Sequence, residues 1–183
     1  MLSLVNLHTL DLSYTSFAEQ KIIFQENNTP KIIFLEFLKN IKDLPNLKNL
    51  NIGNNILFPE VRKASHFGHA RSNEAKRLLG LYNTWRKDQI ERCALKISQK
   101  PTLKKIFMQE TGLGDLFINT LNFQGLRELD LSGNHFLPEV AADFCERHRN
   151  YLIKVRFSNP KEIEQVIIER FLNNVSLEDE LDF

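Results

Sequence analysis

The chain predicts an α/β fold built by repetition, in which short parallel strands, each followed by a helix, stack side by side. Three observations carry this. The stretch Leu126-Arg127-Glu128-Leu129-Asp130-Leu131-Ser132-Gly133-Asn134-His135-Phe136 reads L-x-x-L-x-L-x-x-N-x-F, and Leu7 to Phe17 and Leu47 to Leu57 repeat it. Weaker copies start at Lys76, Leu103 and Leu152, so successive starts from Leu47 differ by 29, 27, 23 and 26 residues. The phrase Pro-Glu-Val stands twelve residues after two of the starts, at Pro59 and Pro138. One such unit cannot bury its apolar face alone, so its neighbours must stack on it.

Taken in order, Leu7, Leu10 and Leu12 open the first repeat, with Thr15 in place of the asparagine. The step to Leu47 is 40 residues, and the excess reads as an irregular insertion near residues 18–30. Phe34, Phe37, Leu38 and Ile41 then recur at helical spacing, which predicts a helix from Lys31 to Leu44. Leu47, Leu50, Ile52 and Asn55 give the second strand and turn. Lys76, Leu79, Leu81 and Thr84 predict a third, and Leu103, Ile106, Met108 and Thr111 a fourth. Between these two, Ile90, Cys93, Ala94 and Ile97 form the apolar face of a helix. The unit at Leu126 is the fifth, and Leu152, Val155 and Phe157 make the sixth. There Pro160 takes the asparagine position; proline cannot donate a hydrogen bond, so the regular stack is expected to end. Proline suits the first turn of a helix, and Pro59 and Pro138 each place an acid beside it, where the helix dipole favours one. Ile163, Val166, Ile167 and Phe171 predict the last helix. The layout is therefore one repeat domain over residues 1–175 and an acidic tail over 176–183, expected to be disordered.

Composition narrows the function. A net charge of +1 gives no general nucleic-acid signal. The charge is uneven, with twelve Lys/Arg against four Asp/Glu from Pro59 to Lys105, and four acids without a base from Ser176 onward. The basic stretch, with Arg62, Lys63, Arg71, Lys76, Arg77, Arg86 and Lys87, falls mostly on helices and reads as a solvated face. No apolar run is long enough to span a bilayer, and no export signal opens the chain. Two cysteines, Cys93 and Cys145, make no disulfide framework, which suits a reducing, cytoplasmic compartment.

Strand–helix repeats of this length and pattern resemble the ribonuclease-inhibitor-like subclass of the leucine-rich-repeat proteins. The resemblance spans roughly Leu7 to Asn174 and implies a curved horseshoe solenoid of about six repeats, with strands on the concave face and helices on the convex one. It further implies that residues two, four and six places after each start face the concave side. The first repeat contributes Asp11 with Tyr14 beside it, and the second Asn49 and Asn51. The third contributes Leu78 and Tyr82, and the fourth Lys105, Phe107 and Gln109. Glu128 and Asp130 follow, then Lys154 and Arg156. A polar surface around the apolar spot Leu78, Tyr82 and Phe107 is what a protein-binding patch looks like. The expected work is recognition of a protein partner, without turnover and without a cofactor. Relatives of this subclass that stimulate small GTPases through a turn asparagine offer an alternative, with Asn55 and Asn134 as the candidates.

Signs of chemistry are weak. Cys145 and His148 stand three apart on a helix, but no third group orients the pair, so a buried cysteine beside a surface histidine is the expected reading. His66 and His69 lack a third ligand for a metal, and Gly112-Leu113-Gly114 lacks the rest of a phosphate loop. The tail Ser176 to Phe183, acidic with apolar residues at its end, resembles the C-terminal translocation signals of bacterial type IV-secreted effectors. That resemblance implies delivery into a host cytosol and a host protein as target.

Overall fold

A computed structural model describes residues 6–15, 41, 43–55, 57 and 73–179 of the chain. Strands β1 (Thr9–Asp11) and β2 (Asn49–Asn51) come first, followed by helix α1 (Asn73–Ser98). Strand β3 (Lys105–Phe107), helix α2 (Asp115–Thr120) and strand β4 (Glu128–Asp130) follow. Helix α3 (Pro138–His148), strand β5 (Lys154–Arg156) and helix α4 (Pro160–Asp179) complete the order. The strands form one open parallel sheet in sequence order, β1-β2-β3-β4-β5. The helices lie in a second layer, α1 against α2, α2 against α3 and α3 against α4.

The repeat spacing explains the register. Leu10, Leu50, Ile106, Leu129 and Val155 are Cα partners across the whole sheet. Together with the leucines that open each repeat, they turn inward onto Cys93, Ala94 and Ile97 of α1 and Phe117 and Ile118 of α2. Ala141, Ala142 and Phe144 of α3 and Ile163 of α4 belong to the same core. Strand side chains alternate between faces, so the residues between these point to the opposite face, which no described helix covers.

After β1, β2, β3 and β4 the chain turns through a residue with positive φ, at Tyr14, Asn54, Glu110 and Gly133. These are equivalent positions, seven residues after the starts at Leu7, Leu47, Leu103 and Leu126, and only Gly133 occupies its place without a Cβ penalty. The next residue secures the turn. Asn134 donates to the Met108 and Leu131 carbonyls at 2.8 and 3.0 Å. Its side-chain Oδ1 accepts the N–H groups of Thr111 and Leu113 at 3.1 and 3.0 Å. Asn55 donates to Leu12, Ile52 and Gly53. Where threonine replaces asparagine, its hydroxyl bonds the carbonyl three residues back, Thr15 to Leu12 and Thr111 to Met108. In the last repeat Pro160 starts α4, and Ser158 closes the turn by accepting from Gly133 N–H and donating to the Asn134 carbonyl.

One expectation is corrected. The strand predicted around Leu79 is part of α1, a helix of 26 residues, so β2 pairs directly with β3. Tyr82, Gln89, Ile90, Cys93, Ala94 and Ile97 are all buried and recur at helical spacing, which makes Asn73–Ser98 a single face rather than a strand and a helix. Thr84 bonds the carbonyl four residues back, at Gly80, as a helix requires, instead of three. Five strands are thus present among the described residues. Helix α4 runs to Asp179, and residues 180–183 of the acidic tail lie outside the described residues. The insertion near residues 18–30 lies outside the described residues, as does the helix predicted from Lys31, of which only its last part, including buried, helical Ile41, is seen.

Gly80 tests the correction. It is exposed, and a Cβ there meets nothing within 4 Å. In a helix, Gly80→Ala is expected to gain ~0.5–1 kcal/mol and Gly80→Val less. In a strand the β-branched residue would gain more. Thermal midpoints in the order Ala, Val, Gly, highest first, confirm the helix, and Val above Ala would contradict it.

Candidate functional site

Two rows of side chains cross the face of the sheet that no described helix covers. Strand partners Thr9, Asn49, Lys105, Glu128 and Lys154 form the first row. Asp11, Asn51, Phe107, Asp130 and Arg156 form the second. At ~4.8 Å per strand the rows extend ~19 Å, enough for a protein contact.

Side chains in each row bond across strands. Asn49 donates to the Thr9 hydroxyl at 2.9 Å, and Asn51 to the Asp11 carboxylate at 3.1 Å. Lys105 pairs with Glu128 at 2.6 Å, and Arg156 with Asp130 at 3.3 Å. Asp11 and Asp130 also accept from the backbone and hydroxyl of Ser13 and Ser132, which ties the second row to the turn. The bond from Lys105, helped by the charges of Lys154 and Arg156, holds the Glu128 carboxyl below its ordinary range. Bonds from the Ser13 hydroxyl and backbone do the same for Asp11. Phe107 lies half-buried in the middle of this polar lattice. Below it Gln109 lies across Gly53, where any Cβ would collide with its amide; the close approach explains a glycine there.

Nine of the residues selected from sequence therefore share one face: Asp11, Asn49, Asn51, Lys105, Phe107, Glu128, Asp130, Lys154 and Arg156. Gln109 adjoins them on the turn, and Tyr14 stands at the β1 end, 76% exposed. Leu78 and Tyr82 do not join them. Both lie on α1, and Tyr82 is buried, its ring 5.6 Å from Trp85 and its hydroxyl pKa raised by that burial. The apolar spot on the sheet thus reduces to Phe107.

Asn55 and Asn134 are also removed as partner-facing residues. Both are buried, at 1% and 2% exposure, and hold turns closed, so neither offers a rim group to a GTPase. The order expected for Cys145 and His148 is reversed: the histidine is the buried member, and the cysteine is half-exposed. The His148 ring lies 4.5 Å from that of Phe144, tilted by 45°, and its Nε2 donates to the Leu121 carbonyl at 3.3 Å. Burial, with Glu146 adding to it, pushes the Cys145 thiol up to about 11, which opposes the thiolate a nucleophile needs. Among the described residues no group of three or more His, Cys, Asp or Glu could hold a metal. His66, His69, Arg62, Lys63 and Arg71 lie outside the described residues; Lys76, Arg77, Arg86 and Lys87 lie on α1.

His148 is expected to make the stability of the chain depend on pH. Burial lowers its pKa from 6.5, so below that pH the unfolded chain binds the proton more readily than the folded one. Its contribution to stability is complete above pH ~6.5 and is lost as the pH falls through the lowered folded value. In His148→Gln, which keeps a donor for Leu121, the denaturant midpoint is expected to fall less between neutral and mildly acidic pH than in wild type. Equal slopes would remove His148 from this role.

Residues 125–146, which take in β4, its turn and most of α3, match the family model of the leucine rich repeat. No curated protein and no solved structure matches the chain.

Proposed function

We propose that this chain is a leucine-rich-repeat module, of the ribonuclease-inhibitor-like kind, that binds a protein partner through the face of its sheet that no described helix covers and carries out no chemistry there. The single observation behind this reading is the assembly of nine residues from five strands into two registered rows that no described helix covers. Packing supports the curvature. Helices are ~10 Å wide, whereas strands are ~4.8 Å apart, so a helix layer on one face bends the sheet away from it and leaves the strands inside. The rows offer both charges, amide groups and one aromatic anchor, the composition of a recognition surface.

Two free thiols, Cys93 and Cys145, support a reducing compartment, and no described helix is long and apolar enough to cross a membrane. The acidic end of the chain supports the narrower reading of an effector delivered to a host cytosol, where the partner would be a host protein.

The test is affinity capture from eukaryotic lysate with wild type and Phe107→Ala side by side, followed by titration of whatever protein is captured. Loss of a central aromatic anchor is expected to weaken binding by ~30-fold or more. A partner held equally well by the folded variant would place recognition elsewhere.

A further inference from the structure

We propose that Asp11 and Phe107 hold an arginine side chain of the protein partner, its guanidinium lying over Asn51 between them; this rests on the reading that the face binds a protein. Charge is the first observation. Among the described residues the two rows carry three carboxylates, Asp11, Glu128 and Asp130. Glu128 has Lys105 at 2.6 Å, and Asp130 has Arg156 at 3.3 Å. Asp11 is exposed and has no such cation among the described residues; bonds from Ser13 and Asn51 alone hold its carboxyl below the ordinary range.

The chain contains its own example of the missing contact. Asp11 and Asp130 occupy equivalent places in the repeat, each within the phrase Leu-Asp-Leu-Ser. In both, Oδ1 accepts from the backbone N–H and the hydroxyl of the serine two residues on. Oδ2 of Asp130 faces the next strand and accepts from the Arg156 guanidinium. Oδ2 of Asp11 also faces the next strand, but it meets the Asn51 amide at 3.1 Å. A carboxylate has about four acceptor positions, so these bonds leave one open on Oδ2.

The floor and the far wall fit a flat cation. Strand β2 and its turn offer Asn49, Asn51 and Gly53, whereas β3 and its turn offer the longer Lys105, Phe107 and Gln109. The face therefore steps up from β2 to β3, with Phe107 half-buried on the step. Lys105 is drawn the other way, to Glu128 on β4. Asp11 and Phe107 stand two strands apart, ~9.6 Å at the backbone. A guanidinium bonds a carboxylate at ~2.8 Å and rests within ~6 Å of a ring centre, so one group spans the gap. Its planar fork also serves several acceptors at once, which the ammonium of lysine does less well. Gln109 supplies a further acceptor. Its Oε1 is buried against Gly53 without a partner among the described residues, and the amide gains one by turning toward a donor over Asn51.

Nuclear magnetic resonance titration of the full chain with N-acetyl-arginine amide tests this. Saturable shifts are expected at the Asn51 and Gln109 side-chain amides and the Gly53 N–H, with none from the neutral citrulline analogue. Asp11→Asn, which keeps an acceptor for Ser13, is expected to weaken the arginine probe ~5-fold or more. Phe107→Leu is expected to weaken it ~2-fold or more. Wild type without saturable shifts, a lysine or citrulline analogue that binds as well as arginine, or an Asp11→Asn chain that binds like wild type would overturn the proposal. A protein captured by the chain separates this contact from the face as a whole. Loss of that protein with both Phe107→Ala and Asp11→Asn supports the two together. Loss with Phe107→Ala alone keeps the face and overturns the arginine contact, and indifference to both variants overturns the two.

Discussion

Asn134→Ala is expected to destabilise the chain by ~3–5 kcal/mol, because one side chain serves buried backbone groups from two repeats. The Met108 and Leu131 carbonyls lose a donor, and the Thr111 and Leu113 N–H groups lose an acceptor. The cost belongs to those groups, each stranded away from water, and exceeds what one surface hydrogen bond contributes. At ~2–4 °C per kcal/mol the thermal midpoint should fall by ~6–20 °C. Asn55→Ala is the internal comparison. Its Nδ2 serves three carbonyls, while its Oδ1 has no partner among the described residues, so a smaller loss of ~1–3 kcal/mol is expected. Thermal unfolding followed by circular dichroism checks both, and a loss below that of Asn55→Ala would mean that the Asn134 turn is held by something else.

Phe144→Ala is expected to cost ~3–5 kcal/mol, the range for emptying a fully buried phenylalanine site. Phe144 joins α3 to the last repeat, with its ring edge-on to Phe157 at 6.4 Å and 4.5 Å from His148. Phe144→Leu keeps most of the volume and should cost far less. The single tryptophan, Trp85, sits on α1, away from this site, and reports whether the loss spreads. Coincident fluorescence and circular-dichroism midpoints in the variant would show one cooperative unit, whereas an α1 signal that stays at its wild-type midpoint would show repeats unfolding separately.

Five strands were legible in the sequence, because the leucine spacing puts alternate residues on one side of a short strand and a turn residue follows it. Leu47, Leu50, Ile52 and Asn55, or Leu126, Leu129, Leu131 and Asn134, specify inward row, outward row and turn together. The nine face residues followed from the same counting, since a parallel register without slips puts equivalent positions side by side. Lys76, Leu79 and Leu81 satisfy the same offsets, yet Leu79 and Tyr82 are equally one helical turn apart. Local pattern could not separate the two there, and it placed Leu78 and Tyr82 on the wrong surface.

What the sequence by itself determined about this protein is the unit: a strand, an asparagine or threonine turn and a helix, with alternate strand residues polar. What only the tertiary structure decided is where the unit recurs and which polar groups are available. Pairing β2 directly to β3 leaves Asn73–Ser98 no strand neighbour, and helical burial of Tyr82, Cys93 and Ile97 becomes the lower-energy choice. Stacking also buries Asn55, Asn134 and His148, because backbone groups from the preceding repeat or helix close over them, and a single repeat read alone contains no record of that neighbour.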